Sequence, residues 1–427
     1  MSATTKYALA LQLLLALSMG LSAARASTVN AKDFGARGDG VSDDSDALQK
    51  AIDAAARETG GGELLIPAGR YVVKKTLRIE KLIGFSLRGE GHGGIIVPKR
   101  DGPTSNMGVT RLIWKGEDGG TLLEAIGTVG LKVEGLLLSG GDTEDTTQQG
   151  RAGMLMHLHS PVGWGCMITK LSAMTFHHAA TGIQMGKAVG DICGSDALLE
   201  FLTFIRLDCG FRVIHRQGVD YTFTFLFAGH CKRVLHFECG GNLLVNTAQM
   251  TDCGVFAEIS GGGRNAGTYL FNNIRVESSS GGRNDRFQAL VCRPDARMVV
   301  AKFIGYDDCQ WDWKSNRSER RAAPLCEIGP GSQVVFESSI FNSPLAALEG
   351  DEKGQASLVV RDSSFSYVSP AQSVKANAHG YFRFENCTEA SGKFYPDLLK
   401  WPKLDAERLD PQAPYVGELP GPPAEGK

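Results

Sequence analysis

Five residues share one local setting that suits acid–base chemistry. Asp208, His230, Asp252, Glu277 and Asp308 stand immediately before Cys209, Cys231, Cys253, Ser278 and Cys309. Cys209, Cys231 and Cys253 are spaced by 22 residues twice, and their neighbours keep phase: TFIRLDCGFRV, FLFAGHCKRVLHF and TAQMTDCGVFAEI. If equivalent residues of successive repeats lie one above another, these side chains form a column with a step of about 4.8 Å. Glycoside hydrolysis needs two carboxyl groups about 5 Å apart for retention, or roughly 6.5 to 9.5 Å for inversion. Stacked turns supply such spacings, and like charges so close raise the pKa of at least one member. The same positions also suit plain turn formers, because Asp and Asn side chains bond to nearby backbone, and Ser338, Ser363 and Asn386 occupy similar places.

A second set follows the cysteines. Aligned by 22, Arg212, Ile214 and Arg216 match Val234, His236 and Glu238, then Phe256, Glu258 and Ser260. The opposite parity is apolar: Val213, Leu235, Phe237, Ala257 and Ile259. Alternation on a strand therefore puts Arg212, Arg216, His236, Glu238 and Glu258 on one exposed face. Arg275 joins them as a binding candidate. Arginine grips a carboxylate with two parallel hydrogen bonds, although a solvated face has the same composition. His157 and His159 alternate with Met154, Met156 and Leu158, either in a groove or at an exposed edge.

The elements that position these residues are short strands between Gly, Asn, Asp and Ser. Looser copies of the repeat are NNIRVESSS, KFIGYDDCQW, VVFESSIF, LVVRDSSF and FRFENCTEA. A fixed period marks a solenoid, and two or three strands per repeat fit a coil of parallel β-sheets. One helix stands out: Leu48, Ala51, Ile52 and Ala55 follow the acids Asp43, Asp44 and Asp46, which suit a helix start. It spans about 44–57 and would cover the N-terminal end of the coil. All ten cysteines lie beyond residue 165. The Cys209/Cys231/Cys253 column reads as buried thiols packed as small apolar groups, with bridges between turns as the rival. No C-x-x-C pair is present, so no metal site, and no zinc, is expected.

Residues 1–26 have the character of a secretory signal: Lys6, an apolar run from Tyr7 to Ala24, and the small-x-small ending Ala24-Arg25-Ala26. The expected divisions are a signal over 1–26, one parallel coil over 27–392, and a tail over 393–427 that cannot continue the sheets. Seven of the last 32 residues are proline. The signal implies a secreted, periplasmic or cell-surface protein without a membrane segment after cleavage. A net charge of -2 argues against a nucleic-acid partner.

The stretch VNAKDFGARGDGVSDDSDALQKAIDAA, followed by GGGELLIPAGRYVV and LRI, resembles the opening of the pectate-lyase superfamily, rhamnogalacturonase-like branch. That module is shared by polygalacturonases, exo-β-1,3-glucanases, uronan epimerases and tailspikes. The resemblance implies an all-β, single-chain right-handed parallel β-helix with an N-terminal capping helix. It also implies a polysaccharide substrate, uronate-containing or similar, and a hydrolase ahead of a lyase or epimerase, the alternative being a non-catalytic carbohydrate-binding or surface-structural solenoid. Asp33, Asp39, Asp43 and Asp44 are then turn and cap residues. Asp307-Asp308-Cys309 is similar to the paired acids of polygalacturonases, but the Gly-His-Gly and Arg-Ile-Lys elements after it are absent, as is the R-x-P-x-x-R signature of calcium-dependent lyases. No cofactor is expected; calcium has no recognisable ligand spacing in the acidic stretch 141–145.

Overall fold

The computed structural model describes residues 28–400 apart from 59–60, 92–107, 142–151, 161–164, 192–193, 217, 261–266, 278–287, 308–309, 313–316, 320–323, 342–344, 366–369, 371–372 and 390–393. The expected signal segment and most of the expected tail lie outside the described residues. Among those described, the strands gather into a 22-stranded sheet, an 11-stranded sheet and a two-stranded ribbon.

One turn of the coil shows how the sequence builds it. Ser195–Ile205 runs along the larger sheet, Cys209–Val213 adds a rung to the smaller one, and Val219–Phe223 returns to the larger. Each rung pairs in parallel with the turn before and after it. The corners are left-handed residues that recur turn after turn: Ile168, Asp196, Asp220 and Asn242 at one edge, and His178, Arg206, His230 and Asp252 at another. Asp and Asn enter this conformation readily, whereas Ile rarely does. Ile168 is tolerated because its side chain points to solvent, 63% exposed.

Inside the coil the apolar parity stacks. The Phe211 ring meets Phe223 edge-on at 5.3 Å, and Phe237 meets Tyr269 likewise at 5.3 Å. Edge-to-face packing favours both pairs beyond the area they bury. The helix Ser45–Ala55 turns Leu48, Ala51, Ile52 and Ala55 inward and covers the first rungs. Asp44 stands before it but accepts from the Arg37 and Gly38 amides (2.6 and 3.1 Å), so it braces the preceding loop. Asp39 binds the Val41 and Ser42 amides in the same way. At the other end Phe394–Lys400 pairs antiparallel with Gly380–Glu389, although the proline-rich tail was expected to leave the sheets. Pro396 falls opposite the left-handed Asn386, at a step of the ladder where no pair forms. The architecture is a right-handed parallel β-helix with a capping helix.

The register corrects one expectation. Cys231 and Cys253 do stack, the Gly254 amide donating to the Cys231 carbonyl at 2.9 Å, but Cys209 is not their neighbour in the column. Leu207 is, since its carbonyl accepts from the Lys232 amide, and Cys209 pairs with Arg233 instead. The turn beginning at Ala197 reaches Tyr221, and the next reaches Leu243. The earlier turn is two residues longer, and the link between Val213 and Tyr221 absorbs the excess. No disulfide joins these thiols, and Cys209, Cys231 and Cys253 are buried.

Candidate functional site

The outward face of the smaller sheet carries a continuous polar row. At the corner entering each rung two successive residues turn inward, Val234-Leu235 and Phe256-Ala257 among them, all fully buried. Val234 and Phe256 were expected on the exposed face; the corner breaks the alternation and places them in the core. After it alternation resumes. The register then stacks Arg78, Glu124, His157, Gln184, Arg212, His236 and Glu258 on consecutive rungs.

Ion pairs and hydrogen bonds join neighbouring members. Arg212 Nε donates to Glu238 Oε1 at 2.7 Å, and its Nη1 donates to Gln184 Oε1 at 3.3 Å. Arg233 Nη1 lies 2.9 Å from His236 Nδ1, and Arg233 Nε 2.9 Å from Glu258 Oε2. Arg293 Nε donates to the other oxygen of Glu258, also at 2.9 Å. A guanidinium has no lone pair to offer, so His236 Nδ1 is the acceptor and the neutral ring carries its proton on Nε2. Burial, reinforced by Arg233, pushes the His236 pKa down, which keeps the ring neutral.

Toward the N-terminal end of the row Glu124, His157 and His159 converge. His159 Nε2 lies 2.8 Å and His157 Nδ1 3.9 Å from Glu124 Oε1. Arg78 Nε holds Oε2 at 3.1 Å. The bond with His159 is the largest influence lowering the Glu124 carboxyl to about 2, against the cost of its burial. Burial also lowers His157, whose Nε2 donates to the Gly186 carbonyl at 3.0 Å. The two imidazoles stack with centroids 4.4 Å apart.

Four of the expected binding residues, Arg212, His236, Glu238 and Glu258, thus meet on one face. Arg216 lies beyond the end of its rung, its amide bonded to the Val189 carbonyl. Arg275 belongs to the larger sheet, between Gln249 and Gly305. The expected acid column divides. His230 and Asp252 are neighbours, with His230 Nδ1 3.6 Å from Asp252 Oδ2, and both are left-handed corner residues. Asp208 is displaced by the two-residue slip, so that Arg206 holds its place, and it pairs with Lys232 at 2.6 Å. Glu277 registers with Thr251, one step earlier than Asp252, and Asp308 lies outside the described residues. Arg233, Arg293, Arg78, Gln184 and Glu124 were not singled out in the sequence. Arg233 had a usable signal, a cation three positions before His236, which a corner brings onto the same face.

Residues 28–129 match the family model described as rhamnogalacturonase A/epimerase, pectate lyase-like. Among curated proteins, mannuronan C5-epimerase AlgE1 of Azotobacter vinelandii is 43% identical over 91 residues, 20% of this chain and 6% of that protein. Plasmin and fibronectin-binding protein A of Streptococcus pneumoniae (strain ATCC BAA-255 / R6) is 51% identical over 49 residues, 12% of this chain and 7% of that one. The chain therefore spans a small fraction of these relatives. The structure of DFA-IIIase from Arthrobacter chlorophenolicus A6 without its lid aligns with a TM-score of 0.48 at 12% identity, over 84% of this chain and 94% of that one. Residues 28–129 are thus similar to the pectate-lyase-like module described as rhamnogalacturonase A/epimerase, and this stretch opens the right-handed parallel β-helix.

Proposed function

We propose that this protein is an exported enzyme that binds a uronate-containing polysaccharide along the polar row and removes the proton α to a uronate carboxylate, as a lyase or an epimerase. The observation that carries the reading is the contact between Arg233 and the neutral His236. A substrate carboxylate that engages the Arg233 guanidinium competes with His236 Nδ1 for it. The released lone pair then lies beside the carbon whose proton the carboxylate acidifies. Arg212 supplies a second cation one turn away, and rungs repeat about every 4.8 Å, close to the advance of one sugar unit in an extended chain.

Hydrolysis, the chemistry expected first, fits this face less well. It requires a carboxyl group that carries a proton. Both oxygens of Glu258 accept from guanidinium groups, and Glu238 accepts from Arg212. The family description that matches residues 28–129 includes epimerases and adds support in kind, although that match ends before His157.

The test uses the full chain and alginate or another polyuronate in deuterated buffer. It scores unsaturated-uronate absorbance, deuterium at C5 and reducing ends together. Absorbance or C5 deuterium is expected, and His236→Gln should lower the rate roughly 100-fold or more with little change in substrate retention. Reducing ends without absorbance would indicate hydrolysis and overturn the reading. A second reading, a binding solenoid without chemistry, is favoured by the mutual pairing of the row's charges. Retention of polyuronate with no product signal would establish it.

A further inference from the structure

The Glu124, His157 and His159 cluster does something the proton-abstraction reading does not use. Each residue offers one ligand atom, and the three atoms lie within 4.8 Å of one another. Both imidazoles are almost completely buried, 4% and 5% exposed. His157 donates through Nε2 to the Gly186 carbonyl, so its Nδ1 presents a lone pair toward Glu124 Oε1 at 3.9 Å. The carboxylate is also an acceptor. Glu124 Oε1 already accepts from His159 Nε2 at 2.8 Å, so a cation that takes the place of that proton is held by the carboxylate and both ring nitrogens. For two of the three residues the surroundings also match those of metal-bound ligands, whose outer atoms are fixed by a carbonyl or a second charged group; His159 Nδ1 is buried without such a partner. Gly186 holds the far side of His157, and Arg78 holds Glu124 Oε2.

We propose that Glu124, His157 and His159 bind one divalent transition-metal ion of the zinc class. Two imidazoles and one carboxylate are a donor set that suits zinc, iron or nickel better than calcium or magnesium, which take oxygen ligands. Zinc ligands stand at about 2.0 to 2.2 Å, which puts tetrahedral ligand atoms roughly 3.4 Å apart. The separations of 2.8 and 3.9 Å straddle that value, so small side-chain rotations bring the ligands into place. Three protein ligands leave a further position for water or a substrate oxygen. The ligands come from two adjacent rungs, Thr121–Ile126 and Met154–His159. Bound metal therefore also ties those turns together.

The full chain, without an affinity tag that binds metals and after chelator treatment, is titrated with Zn2+ and followed by equilibrium dialysis, and with Co2+ followed by visible absorption. One equivalent of Zn2+ is expected, with the intense visible bands of four-coordinate Co2+ and a rise in Tm. Glu124→Gln and His157→Gln should each lose the stoichiometric equivalent and the bands, while His236→Gln keeps both. Glu124→Gln preserves side-chain shape, so a fold checked by circular dichroism separates lost ligation from lost structure. Failure of the stripped wild type to bind an equivalent, or its survival in both site variants, overturns the proposal. These readouts involve no turnover, so they stand or fall apart from the uronate chemistry.

Discussion

Asp252 shows how one residue's backbone can outweigh its side-chain chemistry. Its φ is 51°, and equivalent corners are filled by His178, Arg206 and His230. The shared property is a left-handed backbone, which Asp and Asn adopt at little cost and β-branched residues do not. Asp252→Asn should therefore unfold within about 0.5 kcal/mol of the wild type. Asp252→Val should lose about 1 to 3 kcal/mol through backbone strain, measured by urea denaturation. Equal losses in the two variants would mean that the carboxylate, and not the backbone, is what this corner requires. The acid-before-cysteine pattern was plain in the sequence; that it records a corner follows from its dihedral angle. By contrast Arg212, His236, Glu238 and Glu258 were grouped correctly from alternation, because a strand leaves a side chain two faces to choose from.

At the scale of the element, the open end of a coil is the structural problem that the helix solves. Leu48 and Ile52 lie against the first rungs with almost no exposure. Leu48→Ala should cost about 2 to 5 kcal/mol, the range for emptying a well-packed core site. An unchanged urea midpoint would show that the helix is not part of the cooperative unit. The helix was legible from its apolar spacing and its acidic start. Asp44 is its N-cap residue, but its carboxylate binds the Arg37 and Gly38 amides, and Asp43 takes the Ser45 amide instead. The rungs were legible as strands, but their register was not. A two-residue excess between Val213 and Tyr221 leaves the 22-residue spacing of the cysteines intact in sequence while shifting Cys209 out of the column. The reversed strand Phe394–Lys400 was missed for a related reason: proline excludes itself from a ladder except where no pair is needed, and that place is known only once Asn386 is seen at a corner.

For the whole molecule, several histidines are held neutral by burial. Burial, followed by His178, lowers His177 to about 3, and burial lowers His215 to about 4. In the unfolded chain both titrate near 6.5. A depressed histidine pKa means that the unfolded state takes up protons first as the pH falls. Their contribution is thus complete above about pH 6.5 and is lost progressively toward pH 4. Acidification from pH 7 to pH 5 should cost roughly 2 kcal/mol per group, seen as a falling urea midpoint. In a His215→Gln variant the pH dependence over that window should be weaker; an unchanged slope would remove His215 from the account. Stability should then be greatest at neutral pH or above.

What the amino-acid order determined by itself is local and periodic: short strands, a repeat near 22 residues, a capping helix, and an opening motif shared with pectate-lyase-like proteins. Each depends on neighbours in sequence or on a count along the chain, so it survives without coordinates. The tertiary structure decided which residues share a rung and which way a corner turns them. Glu124 and His157 are 33 positions apart, yet one hydrogen-bonded step brings them side by side. The sequence does not state the length of each connecting loop as a register. Register follows from hydrogen bonding between turns, and the polar row and its candidate metal site come into existence only when that bonding is made.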